Sequence, residues 1–209
     1  MVVSDSVIEA IFFDFGGVLL KTFDGIDHDG IETQFGLEPK TLRHCVYRDS
    51  RYLELHVGRC SYDEWIESAR EALTKVVGDR AGAIMKAFQE SPRPLNPDMV
   101  ALVKRLHGRY KLGIISNTIP GQEARLRQQL PIVDLFDVRI GSGDVGIAKP
   151  DAGIFLHALE VAGVATERSV FTDDVRKFAE AARAVGMHGF HFTGYTQFVQ
   201  DLSSVGVET

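Results

Sequence analysis

Hydrophobic residues recur with two different spacings along the chain, and the change of spacing divides it into two regions. The first apolar run, residues 7–14, is β-branched and aromatic, which is typical of a strand that is buried on both faces. Over residues 22–92 the apolar positions recur with the helical period instead. The pattern predicts a core domain of residues 1–21 and 93–209, with a helical domain of residues 22–92 inserted after the first strand.

The insertion is predicted to contain helices and no strand. Ser61 and Glu64 form the S-x-x-E pattern of a capping box, directly before an apolar stripe that includes Trp65, so a helix is expected to begin there. The proline-rich segment SPRPLNP then marks the return of the chain to the core. The expected helices of the insertion cover residues 30–35, 39–55, 61–77 and 79–90.

In the core, short apolar runs alternate with helical stretches of about 10 to 13 residues, an order that implies βαβ units and a parallel sheet. The predicted fold class is therefore α/β, with a doubly wound, Rossmann-like sheet. The expected strands cover residues 7–14, 111–117, 136–140, 169–173 and 188–193. The expected core helices cover residues 97–108, 121–130, 151–162 and 175–185, followed by one C-terminal helix.

Composition narrows the class of protein. The chain has 209 residues, of which 44% are hydrophobic and 25% charged, as in an ordinary globular protein. A formal net charge of −6 and the lack of any Lys/Arg run argue against a nucleic-acid-binding surface. No apolar run approaches the ~18 to 20 residues of a membrane span, and no export signal precedes the first strand. Two cysteines, Cys45 and Cys60, are too few for a disulfide framework. We therefore expect a cytoplasmic protein that binds neither nucleic acid nor membrane.

Polar groups follow several of the predicted strands. Asp14 ends the first, Ser116 ends the second, Lys149 lies in the loop GIAKPD, and Asp173 and Asp174 end the fourth. Because open α/β sheets bind ligands outside the carboxyl ends of their strands, we expect these side chains to meet. Three carboxylates and one ammonium leave a charge of −2, and two like charges ~4 Å apart repel by about 4 kcal/mol at an effective dielectric of ~20. The arrangement therefore predicts a Mg²⁺ site, since Mg²⁺ prefers oxygen ligands.

The segments DFGGV, ISN, AKPD and FTDD, in this order, resemble the four motifs of the haloacid dehalogenase-like hydrolases. The segment VGRCSYDEW is similar to a recurrent segment of that family's helical cap, so we call the insertion of residues 22–92 the cap. The form DFGGVL is similar to a subgroup that includes the N-terminal phosphatase domain of soluble epoxide hydrolases and bacterial sugar-phosphate phosphatases. The resemblance implies a Mg²⁺-dependent phosphatase that hydrolyses a small phosphorylated metabolite through an aspartyl-phosphate. The oligomeric state, monomer or homodimer, stays open.

The resemblance also implies a role for individual residues. Asp14 would be the nucleophile, and it needs no activating base because an Asp is ionised at neutral pH. The implied catalytic residues are Asp14, Ser116 and Lys149. The implied substrate-binding residues are Ser116, Asn117 and Lys149. The implied metal ligands are Asp14, Asp173, Asp174 and the main-chain carbonyl of Gly16.

Two positions depart from the family's pattern. Gly16 stands where these phosphatases usually carry a second Asp, which protonates the leaving alcohol and later activates water. General acid–base catalysis is worth roughly 10²- to 10⁴-fold, or about 3 to 5 kcal/mol of barrier. We therefore expect slow turnover unless a good leaving group, a substrate hydroxyl, water or a cap residue supplies this function. Phe178 stands where Asn is common, and we interpret it as helix packing.

Two other functions stay open. A 2-haloacid dehalogenase uses the same nucleophile to displace halide, but it usually carries an aromatic residue two positions later and does not need paired metal carboxylates. Asp173 and Asp174 therefore favour the phosphatase. The second alternative is a catalytically weak protein that binds metal and phosphate, which Gly16 keeps open.

Weaker patterns are interpreted as structural. GSGDVG matches G-x-G-x-x-G, but the dinucleotide fingerprint requires the last glycine to open a helix, and Ala148-Lys149-Pro150 follows it here. We expect its glycines to shape the loop that holds Lys149. The cap arginines Arg48, Arg51 and Arg59 are expected on a solvated face rather than at a substrate. The histidines His44, His56 and His107 are expected on the surface.

Overall fold

The structure is a computed structural model that describes residues 7–22, 26–48 and 50–209. Within these residues, five strands form one parallel sheet in the order β3-β2-β1-β4-β5. The predicted α/β, doubly wound fold class is confirmed. The strands are β1 (Ala10–Phe13), β2 (Lys111–Ser116), β3 (Val138–Gly141), β4 (Ser169–Asp173) and β5 (His188–His191).

Helices cover both faces of the sheet, because successive strand residues point to opposite sides. Ile11 and Phe13 of β1 belong to one buried hydrophobic cluster, whereas Ala10 and Phe12 belong to another. The core helices are α6 (Pro97–Leu106), α7 (Gln122–Gln129), α8 (Ser142–Val145), α9 (Ala152–Ala162), α10 (Arg176–Ala184) and α11 (Tyr195–Ser204). Helix α8, a single turn within GSGDVG, was not predicted. Gly146 ends this turn rather than opening a helix, as expected.

The described residues of the cap contain helices and no strand. They are α1 (His28–Phe35), α2 (Thr41–Tyr47), α3 (Ser50–Leu55), α4 (Tyr62–Val77) and α5 (Ala81–Glu90). The single helix predicted over residues 39–55 is wrong, since α2 and α3 are separate helices; residue 49 lies outside the described residues. The Ser61–Glu64 capping box forms as predicted. Trp65 is buried in the cap's own hydrophobic cluster and donates to the Val46 carbonyl at 2.8 Å.

The two chain crossings between core and cap run side by side. Leu20 and Leu95 form an antiparallel bridge, and the Asn96 amide donates to the Leu19 carbonyl at 2.8 Å. A Cβ built on Gly58 of the cap would lie 2.9 Å from the carbonyl oxygen of Gly143. The cap therefore contacts the carboxyl edge of the sheet, where β1, β2 and β3 end. Among the described helices, none combines the length and apolar content needed to cross a membrane.

Candidate active site

Strand β1 delivers Asp14 to the carboxyl edge of the sheet, where it is largely buried. Its amide donates to the Thr172 carbonyl of the neighbouring β4 at 2.9 Å, which fixes its position in the sheet. The chain then turns through Gly17, whose φ is +68°. A Cβ at this position would lie 2.2 Å from Oδ2 of Asp174. Glycine is therefore required twice at position 17, by its left-handed backbone and by the close approach of the Asp174 carboxylate.

Lys149 reaches the same edge, and its ammonium donates three hydrogen bonds. The acceptors are Asp14 Oδ1 at 2.9 Å, Asp173 Oδ2 at 2.6 Å and the Ile115 carbonyl at 2.9 Å. Its side chain is only 1% exposed. Burial by itself lowers the pKa of Lys149, but the carboxylates of Asp14 and Asp173 outweigh it and raise that pKa above its usual value. Lys149 is therefore a fixed positive charge with no free proton to donate elsewhere.

Two aromatic rings flank this ammonium. The Nζ atom of Lys149 lies 5.2 Å from the ring centroid of Phe171 and 5.2 Å from that of Phe178. Both distances are within the range of a cation–π contact. Phe178 also packs against the hydrophobic cluster under α9 and α10, so its interpretation as helix packing is incomplete.

The carboxylates of Asp14, Asp173 and Asp174 converge, with one oxygen of each lying within 4.8 Å of the others. Asp173 is fully engaged, because its Oδ1 accepts from the Val175 amide at 2.8 Å while its Oδ2 accepts from Lys149. Oδ1 of Asp174, in contrast, is buried and has no hydrogen-bond partner among the described residues. Burial and then the charge of Asp14 raise the pKa of Asp173 above its usual value and that of Asp174 to about 6.

These residues fit a magnesium ion. The donor set consists of hard carboxylate oxygens, the cluster carries excess negative charge, and an orphaned carboxylate oxygen faces no protein donor. An unpaired buried anion is costly, so a divalent cation would relieve the burial of Asp174.

The loop after β2 is held rigidly beside the acids. Ser116 is buried at its start. The side chain of Asn117 forms a two-pronged clip with the main chain of Lys149, since its Oδ1 accepts from the Lys149 amide at 2.7 Å and its Nδ2 donates to the Lys149 carbonyl at 2.9 Å. Sequence reasoning assigned Asn117 to substrate. Its observed contacts instead join the two loops that carry Ser116 and Lys149.

Two further residues of this framework were missed by sequence reasoning. The hydroxyl of Ser142 accepts from the Thr118 amide at 2.9 Å and donates to the Thr118 carbonyl at 3.1 Å. Asp144 accepts from the Gln122 amide at 3.0 Å. Both residues belong to GSGDVG, so the segment expected to shape the Lys149 loop also ties down the loop after β2.

One cap side chain lies in the electrostatic field of the site. The ring of His56 is half-buried and packs against the ring of Tyr52, tilted by 60° with 4.3 Å between centroids, so His56 is less exposed than the expected surface position. Burial and then the positive charge of Lys149 lower the pKa of His56 to about 4. His56 is thus a neutral imidazole near the edge of the sheet that carries Lys149.

The three cap arginines are not brought together. A guanidinium nitrogen of Arg51 lies 3.9 Å from the carboxylate atom Oε1 of Glu64. Arg48 lines a surface cavity of about 400 Å³ on the cap. Arg59 lines a cavity of about 440 Å³ that also borders Ile119 and Pro120 of the core. None of these positions brings an arginine next to Asp14, Asp173 or Asp174.

Comparisons with known proteins agree with this geometry. The model of the family described as haloacid dehalogenase-like hydrolase matches residues 8–186. The sesquiterpene phosphatase of Aspergillus oryzae is 27% identical over 191 residues, which is 90% of this chain and 91% of that protein. The pyrimidine 5'-nucleotidase of Escherichia coli is 38% identical over 112 residues, which is 53% of this chain and 46% of that protein. The fold also resembles an enzyme of Bacteroides thetaiotaomicron solved with magnesium and inorganic phosphate, with a TM-score of 0.66 and 22% identity over 88% of this chain and 93% of that one.

Proposed function

The chain belongs to the haloacid dehalogenase-like hydrolases, and from that premise we propose that it is a Mg²⁺-dependent phosphatase of small phosphorylated metabolites. The observation that carries the proposal is the convergence of Asp14, Lys149, Asp173 and Asp174 at one edge of the sheet. The relatives named above as a sesquiterpene phosphatase and a nucleotidase support a phosphoric monoester hydrolase.

Asp14 is the proposed nucleophile. Its Oδ1 accepts from Lys149, which leaves Oδ2 to attack the phosphorus and form an aspartyl-phosphate. Lys149 holds the attacking carboxylate in one orientation and offsets the negative charge of the incoming phosphate. Because Lys149 is itself held by three acceptors, it needs little reorganisation when the substrate arrives. The Ser116 hydroxyl, at the end of the adjacent strand, is proposed to bind a phosphoryl oxygen.

Asp14, Asp174 and the carbonyl of Gly16 are the proposed ligands of Mg²⁺. Asp173 would act mainly through Lys149, since both of its carboxylate oxygens already accept hydrogen bonds. When bound, the ion would neutralise charge on the transferring phosphoryl group. Asn117 is proposed to position Lys149 through the clip described above rather than by a direct bond to substrate.

A phosphatase screen tests this proposal. Turnover of p-nitrophenyl phosphate and of a panel of phosphorylated metabolites is measured with Mg²⁺ and with chelator, for the wild type and for Asp14→Asn. Asp98→Asn, an exposed aspartate on α6, is the matched control. We expect metal-dependent turnover that Asp14→Asn abolishes and Asp98→Asn retains. Turnover that survives chelation or Asp14→Asn would contradict the proposal, and activity on 2-chloropropionate without any on esters would favour a dehalogenase.

A further inference from the structure

The proposed reaction needs a group that accepts a proton, and the turn after Asp14 does not provide one. Hydrolysis of the aspartyl-phosphate requires water to lose a proton as it attacks phosphorus. Gly16 has no side chain to take it. Asp173 is engaged by Lys149 and by the Val175 amide, so it is not free to swing toward water. Asp174 is the proposed ligand of Mg²⁺, so a base on another element of the fold would fill this role.

The cap is placed to supply that group. A Cβ on Gly58 would lie 2.9 Å from the Gly143 carbonyl oxygen and 3.8 Å from Cγ of Pro120, so the segment that follows α3 rests against α8 and the loop that follows β2. Ile119 of the core packs into the cap's hydrophobic cluster, which fixes this contact. Two residues before Gly58, the chain presents His56.

The imidazole of His56 is held in place but not consumed by hydrogen bonds. One side of the ring is covered by Tyr52, at 4.3 Å between centroids. No described residue forms a hydrogen bond with either ring nitrogen. The rings of His107, His188 and His191, in contrast, each contact a main-chain carbonyl at 3.0 to 3.3 Å. His157 of α9 is also half-buried and without a ring hydrogen bond to any described residue, so His56 is distinguished by its place beside the contact between Gly58 and Gly143.

Resting on the phosphatase function above, we propose that His56 is the general base that activates water for hydrolysis of the aspartyl-phosphate. The water oxygen forms a bond to phosphorus as the bond between phosphorus and Asp14 breaks, which returns the carboxylate and releases inorganic phosphate. The proton of the water passes to a ring nitrogen of His56 and from there to solvent.

The pKa of His56 is similar to that of an aspartate, the residue that the family usually carries at position 16. The charged group that acts on His56 across the cap–core contact is Lys149, and burial and this charge keep its pKa at about 4. That value is close to the reference pKa of ~3.9 for an aspartate side chain. A neutral His56 thus has a free lone pair to accept a proton, which Gly16 lacks. Lys149 links the two sites, since its ammonium lies 2.9 Å from Asp14.

The experiment uses p-nitrophenyl phosphate, whose leaving group departs without a proton, so that only the second half-reaction depends on a base. In His56→Ala we expect kcat to fall by about 10²-fold. We also expect a burst of p-nitrophenol and a trapped protein heavier by one phosphoryl group after acid quench. Added imidazole should restore turnover. His44→Ala, at an exposed cap histidine, is the matched control and should behave as wild type.

Two further variants keep the test decisive. His56→Gln retains a polar side chain, so it should fold as wild type by circular dichroism and still accumulate the phosphoenzyme. In a Gly16→Asp background a carboxylate is available next to the nucleophile, so His56→Ala should then have little further effect on kcat.

The role of His56 is overturned if its variants keep wild-type kcat, or if they are slow without phosphoenzyme accumulation and without imidazole rescue. If the wild type shows no metal-dependent turnover, or if Asp14→Asn retains that turnover, the phosphatase function itself is overturned. Both results are obtained before any His56 variant is made, so the two failures are distinguishable.

Discussion

Replacing Lys149 by Met should destabilise the protein strongly, because it removes the cation that two buried carboxylates share. The Nζ atom lies 2.9 Å from Asp14 Oδ1 and 2.6 Å from Asp173 Oδ2, and the lysine side chain is 1% exposed. At an effective dielectric of ~20, each gross attraction amounts to about 6 kcal/mol, which offsets the cost of burying the three charges. Met has similar volume, so the change leaves little cavity but two unpaired acids.

Truncating one partner of a buried ion pair costs about 3 to 5 kcal/mol, and we expect that loss for Lys149→Met in urea denaturation followed by circular dichroism. The pKa of Lys149 is raised in the folded state, so the stabilisation that its charge provides is fully present below the unfolded-state pKa of ~10.4. That stabilisation is lost only as pH rises through the pKa of Lys149 in the folded state. In the variant, the stranded acids have lost the cation that lowers the pKa of Asp173, so the difference between wild type and variant should grow from pH 7 to 9 as these acids ionise, measured with chelator present.

Two comparisons make this test specific. The double variant Lys149→Met/Asp173→Asn removes one of the stranded charges, so it should recover part of the lost stability, and the double-mutant cycle gives the coupling. Lys104→Met, on exposed α6 surface, should change stability by less than about 0.5 kcal/mol. A loss below about 1 kcal/mol for Lys149→Met, within the range of exposed ion pairs, would refute the picture of a buried ammonium between the two acids.

Three further changes test other parts of the site. Gly17→Ala should lower the free energy of unfolding by about 2 kcal/mol or more in thermal unfolding, because φ is +68° and the new Cβ would lie 2.2 Å from Asp174 Oδ2. The same change should weaken Mg²⁺ binding measured by calorimetry. Wild-type affinity in this variant would contradict the close approach of Asp174 to Gly17. Gly16→Asp should fold normally, since φ of −71° and ψ of 136° at this position suit any residue. The variant should have a kcat about 10- to 100-fold higher than wild type for phosphate esters with poor leaving groups, because the new carboxyl can protonate them. Equal rates of the wild type on alkyl and nitrophenyl phosphates would show that no acid is missing. His56 has a lowered pKa of about 4, so the folded state resists its protonation, and the contribution of His56 to stability should fall by about 2 kcal/mol between pH 7 and pH 5 in chelator. Asp173 and Asp174, whose pKa values are raised, contribute with the opposite sign over this range, so the contribution of His56 is measured as the difference between wild type and variant. His56→Gln should lose that part of the pH dependence in urea titrations, and identical slopes for both proteins would show that the ring is solvated.

The fold followed from local features of the sequence. The apolar run before Asp14 and the helical stripe that contains Trp65 are properties of contiguous residues, and each buries a face whatever its final neighbours are. The capping box at Ser61 is equally local, since donor and acceptor lie three residues apart. Boundaries were less certain where two elements meet, and the single helix expected over residues 39–55 became α2 and α3.

The sequence by itself also predicted which polar side chains meet at the candidate site, because the ends of parallel strands share one edge of the sheet. Only the tertiary structure decided which hydrogen bonds each of them makes. Asp173 and Asp174 are neighbours in the chain, yet one is bonded to Lys149 and the other has a buried oxygen without a protein donor. His56 was indistinguishable from a surface histidine until the cap was seen to rest on the core. The physical reason is that periodicity records which side of an element is buried, whereas bonds between residues far apart in the chain depend on how elements and domains pack.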